Sequence, residues 1–193
     1  MAPVASDMAD KRPAIVCFGD SITAGLGVDP DKNYPADMQR DLDAKGYRYR
    51  VVNMGVSGET TKDGLARVER VLALKPAVVV VEFGGNDGLR GLRIGDTQAA
   101  LDEIVATLKK SGTTVALAGI SLPPSYGADY VSRFNAIFPA VAKKNGVAVL
   151  PLIYKDVYGV PGFIQDDGVH PTAAGDVQVA KNVEGLILGM LKK

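Results

Sequence analysis

Residues 77–83 read Ala-Val-Val-Val-Val-Glu-Phe, a run that contains four consecutive valines. An apolar run without polar alternation is typical of a strand that is buried on both faces, as the strands of parallel sheets are. Short runs of similar character recur along the chain, and we expect each of them to be a strand: Ala14–Phe18, Tyr49–Met54, Thr113–Ile120 and Val147–Leu150.

The segments between these runs carry apolar residues at helical spacing. In Thr97–Lys110, for example, one side of the predicted helix holds Leu101, Ile104, Val105 and Leu108. Strands that alternate with helices predict right-handed crossovers and a parallel sheet covered on both faces. We therefore predict an α/β protein, a three-layer α/β/α sandwich with a five-stranded parallel sheet. The other predicted helices are Tyr34–Lys45, Thr60–Leu74, Asp129–Asn145 and Thr172–Leu191.

The length and composition are those of one globular domain. The chain has 193 residues, 47% of them hydrophobic, and its 22 Lys and Arg residues balance its 22 Asp and Glu residues. A nucleic-acid binder needs an excess of positive charge, so we expect no nucleic-acid partner. The apolar runs are far shorter than the roughly 20 residues that a membrane span needs. We predict a flexible arm over residues 1–13 and a single domain over residues 14–193.

The chain contains one cysteine, Cys17, and one histidine, His170. One cysteine excludes an internal disulfide and zinc sites with several thiolates, and one histidine excludes metal sites built on a histidine pair. Imidazole is the side chain whose ordinary pKa lies near neutral pH. Imidazole-based proton transfer must therefore depend on His170, while we expect Cys17 to be a buried and inert strand residue.

A serine follows the first predicted strand, in Gly19-Asp20-Ser21-Ile22. Because sites in parallel sheets form at the carboxyl ends of the strands, Ser21 is a candidate nucleophile. Ser and Asp before a helix are also common N-caps, and a phosphate-binding loop over Gly19–Gly27 is a third interpretation. The spacing matches neither the dinucleotide and Walker patterns nor the G-x-S-x-G elbow of the α/β-hydrolases. Taken alone, this loop favours a capping role.

The loop before the last predicted helix changes that balance. It contains Asp167-Gly168-Val169-His170-Pro171, so one turn of the chain brings the Asp167 carboxylate to the His170 imidazole. A serine hydroxyl needs a base to remove its proton, and the base needs an acceptor that holds it in one tautomer. A lone histidine is more often a solvated or capping residue. The carboxylate three positions earlier favours a catalytic role for His170.

Two other strand ends carry candidate hydrogen-bond donors for an oxyanion. Gly55 ends the second strand, within Asn53-Met54-Gly55-Val56-Ser57-Gly58, and Asn86 follows the third, within Gly84-Gly85-Asn86-Asp87-Gly88. A glycine lets a backbone N–H approach a ligand closely, and an asparagine supplies a side-chain amide. Both segments are also typical of ordinary turns. Their order along the chain, each after a different strand, favours a site.

Together these segments resemble the sequence blocks of the SGNH hydrolases, also called the GDSL esterase/lipase family. Ser21 lies in a segment similar to the nucleophile block, in which Ile22 replaces the usual leucine. Gly55 and Asn86 are similar to the glycine and asparagine of the second and third blocks, and Asp167–Pro171 is similar to the fifth. Two further segments are most similar to the bacterial arylesterase and thioesterase/lysophospholipase branch: Gly84–Leu92 and Ser121–Gly127.

The resemblance implies a flavodoxin-like SGNH hydrolase fold. It implies hydrolysis of short- to medium-chain acyl or aryl esters, with thioesters or lysophospholipids as further substrates, and neither metal nor organic cofactor. Ser21 would attack the acyl carbonyl, His170 would act as the base, and Asp167 would orient it. An oxyanion hole would be formed by Ser21, Gly55 and Asn86. Substrate contacts would come from Leu89, Leu92, Leu122 and Pro123.

Two other functions are compatible with the sequence. One is a carbohydrate O-acetylesterase of the same family, with the same triad and a more polar pocket. The other, in a different class, is a non-catalytic flavodoxin-like module that binds phosphate or a nucleotide on Gly19–Gly27. Related enzymes are often exported, so the resemblance favours a periplasmic or secreted mature form whose signal has been removed, with a cytoplasmic protein as the alternative.

Overall fold

The valine run lies at the centre of the sheet. In the computed structural model, which describes residues 10–193, strand β3 (Val78–Glu82) is buried along its whole length. It pairs in parallel with β1 (Ala14–Gly19) on one side and with β4 (Thr114–Ala118) on the other. The edge strands are β2 (Arg50–Gly55) and β5 (Ala148–Leu150), so the strand order is β2-β1-β3-β4-β5. The predicted five-stranded parallel sheet is confirmed.

The helices form two packed groups. Helix α2 packs against α9, and α6 packs against α3 and α8. Right-handed crossovers place the two groups on opposite faces of the sheet, which gives three layers. The helices are α1 (Ser21–Ala24), α2 (Tyr34–Ala44), α3 (Thr61–Ala66), α4 (Val68–Leu72), α5 (Gly85–Leu89), α6 (Ile94–Lys110), α7 (Ala128–Asn135), α8 (Ile137–Asn145) and α9 (Ala173–Ile187).

Two of the predicted long helices are interrupted. The predicted helix Thr60–Leu74 divides into α3 and α4 at Arg67, where the backbone turns away from helical geometry with φ −120°. The predicted helix Asp129–Asn145 divides into α7 and α8 at Ala136. Pro139 accounts for the second break, because proline has no N–H to donate to the carbonyl four residues earlier.

The predicted arm of residues 1–13 falls largely outside the described residues, since residues 1–9 are not described. Within the described part, Arg12 forms ion pairs with Asp10 at 2.7 Å and with Asp43 at 2.9 Å. The division into an arm and one domain over residues 14–193 stays a prediction. No helix within residues 10–193 is both long enough and apolar enough to cross a bilayer.

A carboxyl group is buried where α9 packs on α2. The side chain of Asp176 is fully buried, and neither of its oxygens has a hydrogen-bond partner among the described residues. Burial, together with the smaller effect of the neighbouring Asp37 carboxylate, raises the pKa of Asp176 to about 8. Asp176 is therefore protonated in the folded protein at neutral pH.

We expect Asp176→Asn to stabilise the protein, with a gain that grows between about pH 4 and pH 8. In that window the unfolded chain releases the Asp176 proton while the folded chain retains it, so rising pH favours unfolding by up to ~1.4 kcal/mol per pH unit. The variant lacks this group. Urea unfolding at pH 5, 7 and 8 measures the effect.

The matched control is Asp102→Asn. The hydrogen bond from Lys144 is the main cause that lowers the pKa of Asp102, so this carboxylate stabilises the folded state above its ordinary pKa. Its removal should cost a little stability at neutral pH. A stability difference for Asp176→Asn that is the same at pH 5 and pH 8 would contradict the expectation.

Candidate active site

A cavity of about 200 Å³ opens at the carboxyl edge of the sheet. Each strand is followed by a segment that contributes to its wall, as parallel α/β sheets generally arrange their sites. The wall residues that matter below are Ser21 after β1, Gly58 after β2, Asn86 after β3, Leu122 after β4, and Tyr154 and His170 after β5.

Ser21 is the first residue of α1 and follows β1 after a single residue. That residue, Asp20, caps the helix, because its Oδ1 accepts a hydrogen bond from the Ile22 N–H at 3.0 Å. The cap fixes the turn between strand and helix, so the Ser21 side chain faces the cavity while the residue is only 8% exposed. The capping role weighed for this segment thus belongs to Asp20, which leaves the Ser21 hydroxyl available.

The long segment after β5 brings His170 to Ser21. An antiparallel bridge joins Ile164 to Pro171, and the Gln165 N–H donates to the His170 carbonyl at 2.8 Å. The Gln165 amide also donates to the Leu26 carbonyl at 2.8 Å and to the Pro171 carbonyl at 2.7 Å. This one side chain therefore ties the histidine loop to the loop that follows α1.

Ser21, His170 and Asp167 form a continuous chain of hydrogen bonds. The Ser21 Oγ lies 2.8 Å from His170 Nε2, and His170 Nδ1 lies 2.7 Å from Asp167 Oδ2. The other carboxylate oxygen, Oδ1, accepts the backbone N–H groups of Val169 and His170 at 2.8 and 2.9 Å. A carboxylate at Nδ1 selects the tautomer in which Nδ1 carries the proton and Nε2 can accept one from the serine.

Asp167 is held in its charged form. Partial burial on its own would raise the pKa of Asp167, but the hydrogen bonds from the backbone and ring of His170 and from the Val169 N–H lower it to about 2. The carboxylate is therefore ionised throughout the range in which an imidazole changes its charge. The negative charge beside Nδ1 stabilises the imidazolium that forms when His170 accepts a proton.

Asn86 lies in the first turn of α5 and lines the same cavity. Its Nδ2 donates to the Glu59 carbonyl at 2.9 Å and approaches Asp20 Oδ2 at 3.1 Å. These two acceptors fix which way the amide points. The amide is therefore oriented beside Ser21 with both of its N–H groups engaged, and it can donate to a bound group only by releasing or sharing one of these acceptors.

Gly55 is not part of this arrangement, contrary to the sequence-based expectation. It is still the last residue of β2, in register with Gly19, and does not line the cavity. Its N–H donates to Asn53 Oδ1 at 2.9 Å, and a side chain at this position would collide with the backbone of Ala24. Gly55 therefore allows α1 to pack closely against β2, which is a structural role.

Gly58, three residues further along the same loop, lines the cavity instead. It adopts a φ of +82°, which glycine tolerates best, and its N–H has no acceptor among residues 10–193. The Arg90 guanidinium donates to the Gly58 carbonyl at 2.7 Å and holds the peptide. The sequence could have indicated Gly58. Sites of parallel sheets form in the loops that follow the strands, and Gly58 lies in such a loop, whereas Gly55 is the last residue of its strand.

Three of the four residues expected to contact substrate line the cavity: Leu89, Leu122 and Pro123. Leu92 does not, and we correct that expectation. Its N–H donates to the Asp87 carbonyl in the turn that follows α5, which directs Leu92 away from the cavity and leaves it 42% exposed. Apolar wall residues that the sequence did not indicate are Leu26, Ile120, Tyr154 and Tyr158.

The chain is similar to known ester-hydrolysing enzymes over most of its length. The model of the GDSL-like lipase/acylhydrolase family matches residues 17–176. The chain is 42% identical to the esterase TesA of Pseudomonas aeruginosa over 170 residues, which cover 88% of this chain and 85% of that protein. It is 38% identical to thioesterase 1/protease 1/lysophospholipase L1 of Escherichia coli over 164 residues, or 84% of this chain and 77% of that protein.

Solved structures share the fold. The crystal structure of AlinE4, described as an SGNH-hydrolase family esterase, superposes with a TM-score of 0.78 at 36% identity and covers 95% of this chain and 98% of that one. These matches confirm the predicted resemblance, fold class and ester-hydrolysing activity. The chain belongs to the GDSL-like lipase/acylhydrolase family of ester-hydrolysing enzymes.

Proposed function

We propose that the protein hydrolyses short- to medium-chain acyl or aryl esters, and acyl thioesters, through a covalent acyl-enzyme on Ser21. The observation that carries the proposal is the chain of hydrogen bonds from Ser21 Oγ to His170 Nε2 and from His170 Nδ1 to Asp167 Oδ2. That arrangement is the one a serine nucleophile needs. The name of the Escherichia coli relative, a thioesterase and lysophospholipase, supports the inclusion of thioesters.

In the first half-reaction the Ser21 Oγ attacks the acyl carbonyl carbon while His170 Nε2 takes the hydroxyl proton. Asp167 stabilises the imidazolium so formed. The carbonyl oxygen gains the negative charge, and three donors around Ser21 bind it. Two are the backbone N–H groups of Ser21 and Gly58, and the third is the Asn86 amide, which turns one N–H from the Glu59 carbonyl to the oxyanion. His170 then gives its proton to the departing alkoxide or thiolate, which leaves an ester between the acyl group and Ser21.

In the second half-reaction water replaces the alcohol. His170 removes a proton from the water, the resulting hydroxide attacks the acyl carbon, and the same donors bind the second oxyanion. Collapse of this intermediate returns the proton to Ser21 Oγ and releases the carboxylic acid. No step requires a group beyond the chain and water.

The cavity wall favours an acyl chain over a sugar. Beside the triad the wall is mainly apolar and includes Leu89, Ile120, Leu122 and two tyrosines, Tyr154 and Tyr158. A volume of about 200 Å³ lies below the roughly 300–1,000 Å³ of pockets for drug-sized ligands, which favours short to medium chains. A carbohydrate O-acetylesterase would need more hydrogen-bonding groups here.

The non-catalytic phosphate-binding alternative has less support. No Lys or Arg is among the described residues that line the cavity, and phosphate sites usually contain one. The Ser21 hydroxyl, which such a site would use as a donor to the ligand, is already bonded to His170. Both features favour a nucleophile over an anion-binding loop.

We expect Ser21→Ala and His170→Ala each to lower kcat for a short p-nitrophenyl ester by ~10³-fold or more, since each removes a member of a unit that works together. Labelling by a fluorophosphonate should disappear in Ser21→Ala. Ser125→Ala, at an exposed position, is the matched control and should retain activity. Undiminished hydrolysis in Ser21→Ala would remove the basis of the proposal.

Asn86→Ala should lower kcat by ~10²-fold with little change in KM, because an oxyanion donor acts mainly in the transition state. Asn53→Ala is the control of the same chemical type. It releases the Gly55 N–H from its acceptor without touching the cavity, so its kcat should match the wild type. A comparable loss in Asn53→Ala would show that the effect of Asn86→Ala is not specific to an oxyanion donor.

A substrate panel separates the ester classes. Initial rates on p-nitrophenyl esters of increasing acyl length, on an acyl-coenzyme A thioester and on acetylated sugars should rank short- to medium-chain esters first and acetylated sugars last. The apolar wall and the small cavity are the reason. Preference for acetylated sugars would establish the O-acetylesterase alternative.

A further inference from the structure

Glu82 is a fully buried acid at the end of the valine strand. It is in register with Gly19 of β1, and a side chain at Gly19 would collide with it. Its Oε2 accepts a hydrogen bond from Thr23 Oγ1 at 2.8 Å, while its Oε1 has no hydrogen-bond partner among residues 10–193. An acid in such a place needs an explanation, because burying a charge costs several kcal/mol.

The explanation begins with Asp20, which lies directly before Ser21 and follows Gly19, the residue in register with Glu82. The two carboxyl groups are close enough for each to shift the pKa of the other. Asp20 is 1% exposed and uses both oxygens: Oδ1 accepts the Ile22 N–H at 3.0 Å, and Oδ2 accepts the Asn86 amide at 3.1 Å. The two acids therefore connect the centre of the sheet to the turn that carries Ser21 and to Asn86.

Two neighbouring carboxyl groups that are both buried are not both charged without a cation between them. Among the described residues, neither acid has a Lys or Arg partner, and His170 is the one potential cation that faces Asp20. The other titratable groups around the pair are the Cys17 thiol and the Tyr34 and Tyr154 phenols. All three have a raised pKa through burial and are neutral.

The proton of this pair belongs on Glu82. Burial raises the pKa of Glu82 well above its ordinary value, and the negative charge of Asp20 adds to that rise. Burial raises the pKa of Asp20 only to about 6, because the Ile22 N–H, His170 and the Asn86 amide favour its charged form. At neutral pH the arrangement is a protonated Glu82 beside an Asp20 carboxylate.

We propose that protonated Glu82 is a positioning residue for ester hydrolysis: it donates a hydrogen bond to the Asp20 carboxylate, and Asp20 in turn orients the Asn86 amide and the turn that carries Ser21. The proposal rests on the roles of Ser21 and Asn86 proposed above. Thr23 completes it, because its hydroxyl donates to the other side of Glu82 and leaves the acid proton for Asp20.

The comparison of Glu82→Gln with Glu82→Met tests this role. Glutamine has the shape of a protonated glutamate, donating to Asp20 through its amide and accepting from Thr23, whereas methionine fills similar volume without either hydrogen bond. We expect kcat for a p-nitrophenyl ester within about threefold of the wild type in Glu82→Gln and at least about tenfold lower in Glu82→Met, with KM little changed. Val80→Ala, on the same face of β3, controls for a loosened core and should keep kcat.

A double-mutant cycle with Asn86→Ala distinguishes positioning from general destabilisation. If Glu82 acts through Asn86, the loss caused by Glu82→Met should shrink to about threefold or less in the Asn86→Ala background, because coupled residues are not additive. Thermal unfolding of each variant confirms folding at the assay temperature. Should Glu82→Met not fold, Glu82→Ala takes its place in both arms.

Three results would overturn the proposal: a loss in Glu82→Gln as large as that in Glu82→Met, an undiminished kcat in Glu82→Met, or the same fold-loss with and without Asn86. The wild type and Ser21→Ala are assayed first. An inactive wild type, or a Ser21→Ala variant that keeps its activity, would reject the proposed function itself. If activity depends on Ser21 but kcat is the same in all Glu82 variants, only the role of Glu82 is rejected.

Discussion

The hydrogen bond between His170 Nε2 and Ser21 Oγ joins residues that are 149 positions apart in the chain. Each partner is placed by a different part of the chain. Ser21 is placed by the end of β1 and the Asp20 cap, and His170 by a loop that begins after the far edge strand. The sheet is what brings the two together, because five parallel strands deliver their following segments to one edge. The chemistry of the site therefore depends on the integrity of the whole sheet.

The core and the site of this protein are not separate regions. The valine strand that decides the fold ends in Glu82, and the acid it contributes is near Asp20, the residue before Ser21. Arg67 is a second buried polar residue that contacts the end of β1. Its guanidinium donates to the Gly19 carbonyl at 3.0 Å and lies 4.6 Å from the Phe18 ring. Burying polar groups beneath Ser21 lowers the stability of the fold. Functional sites commonly carry such a cost, and here the buried groups hold the turn that carries Ser21.

Periodicity and residue type were enough to predict the five strands, the parallel sheet and the grouping of Ser21, Asn86, Asp167 and His170. They did not predict which of two nearby residues faces the cavity, because that depends on close packing. Gly55 and Gly58 lie in one loop, and only the contact of Gly55 with α1 shows which of them is free to face a ligand. Leu92 differs from Leu89 by one turn of backbone, which spacing along the chain does not reveal. The helix break at Ala136, by contrast, could have been predicted from Pro139.

The distance along the chain between Ser21 and His170 has a consequence for how the enzyme comes into being. Ser21 is synthesised 149 residues before His170, and helix α9, which follows His170, packs on α2. A nascent chain thus carries its proposed nucleophile before its proposed base, and the Gln165 bridge between the two loops cannot form until the histidine loop has been synthesised. A chain interrupted between the two residues therefore has a serine with no imidazole to activate it.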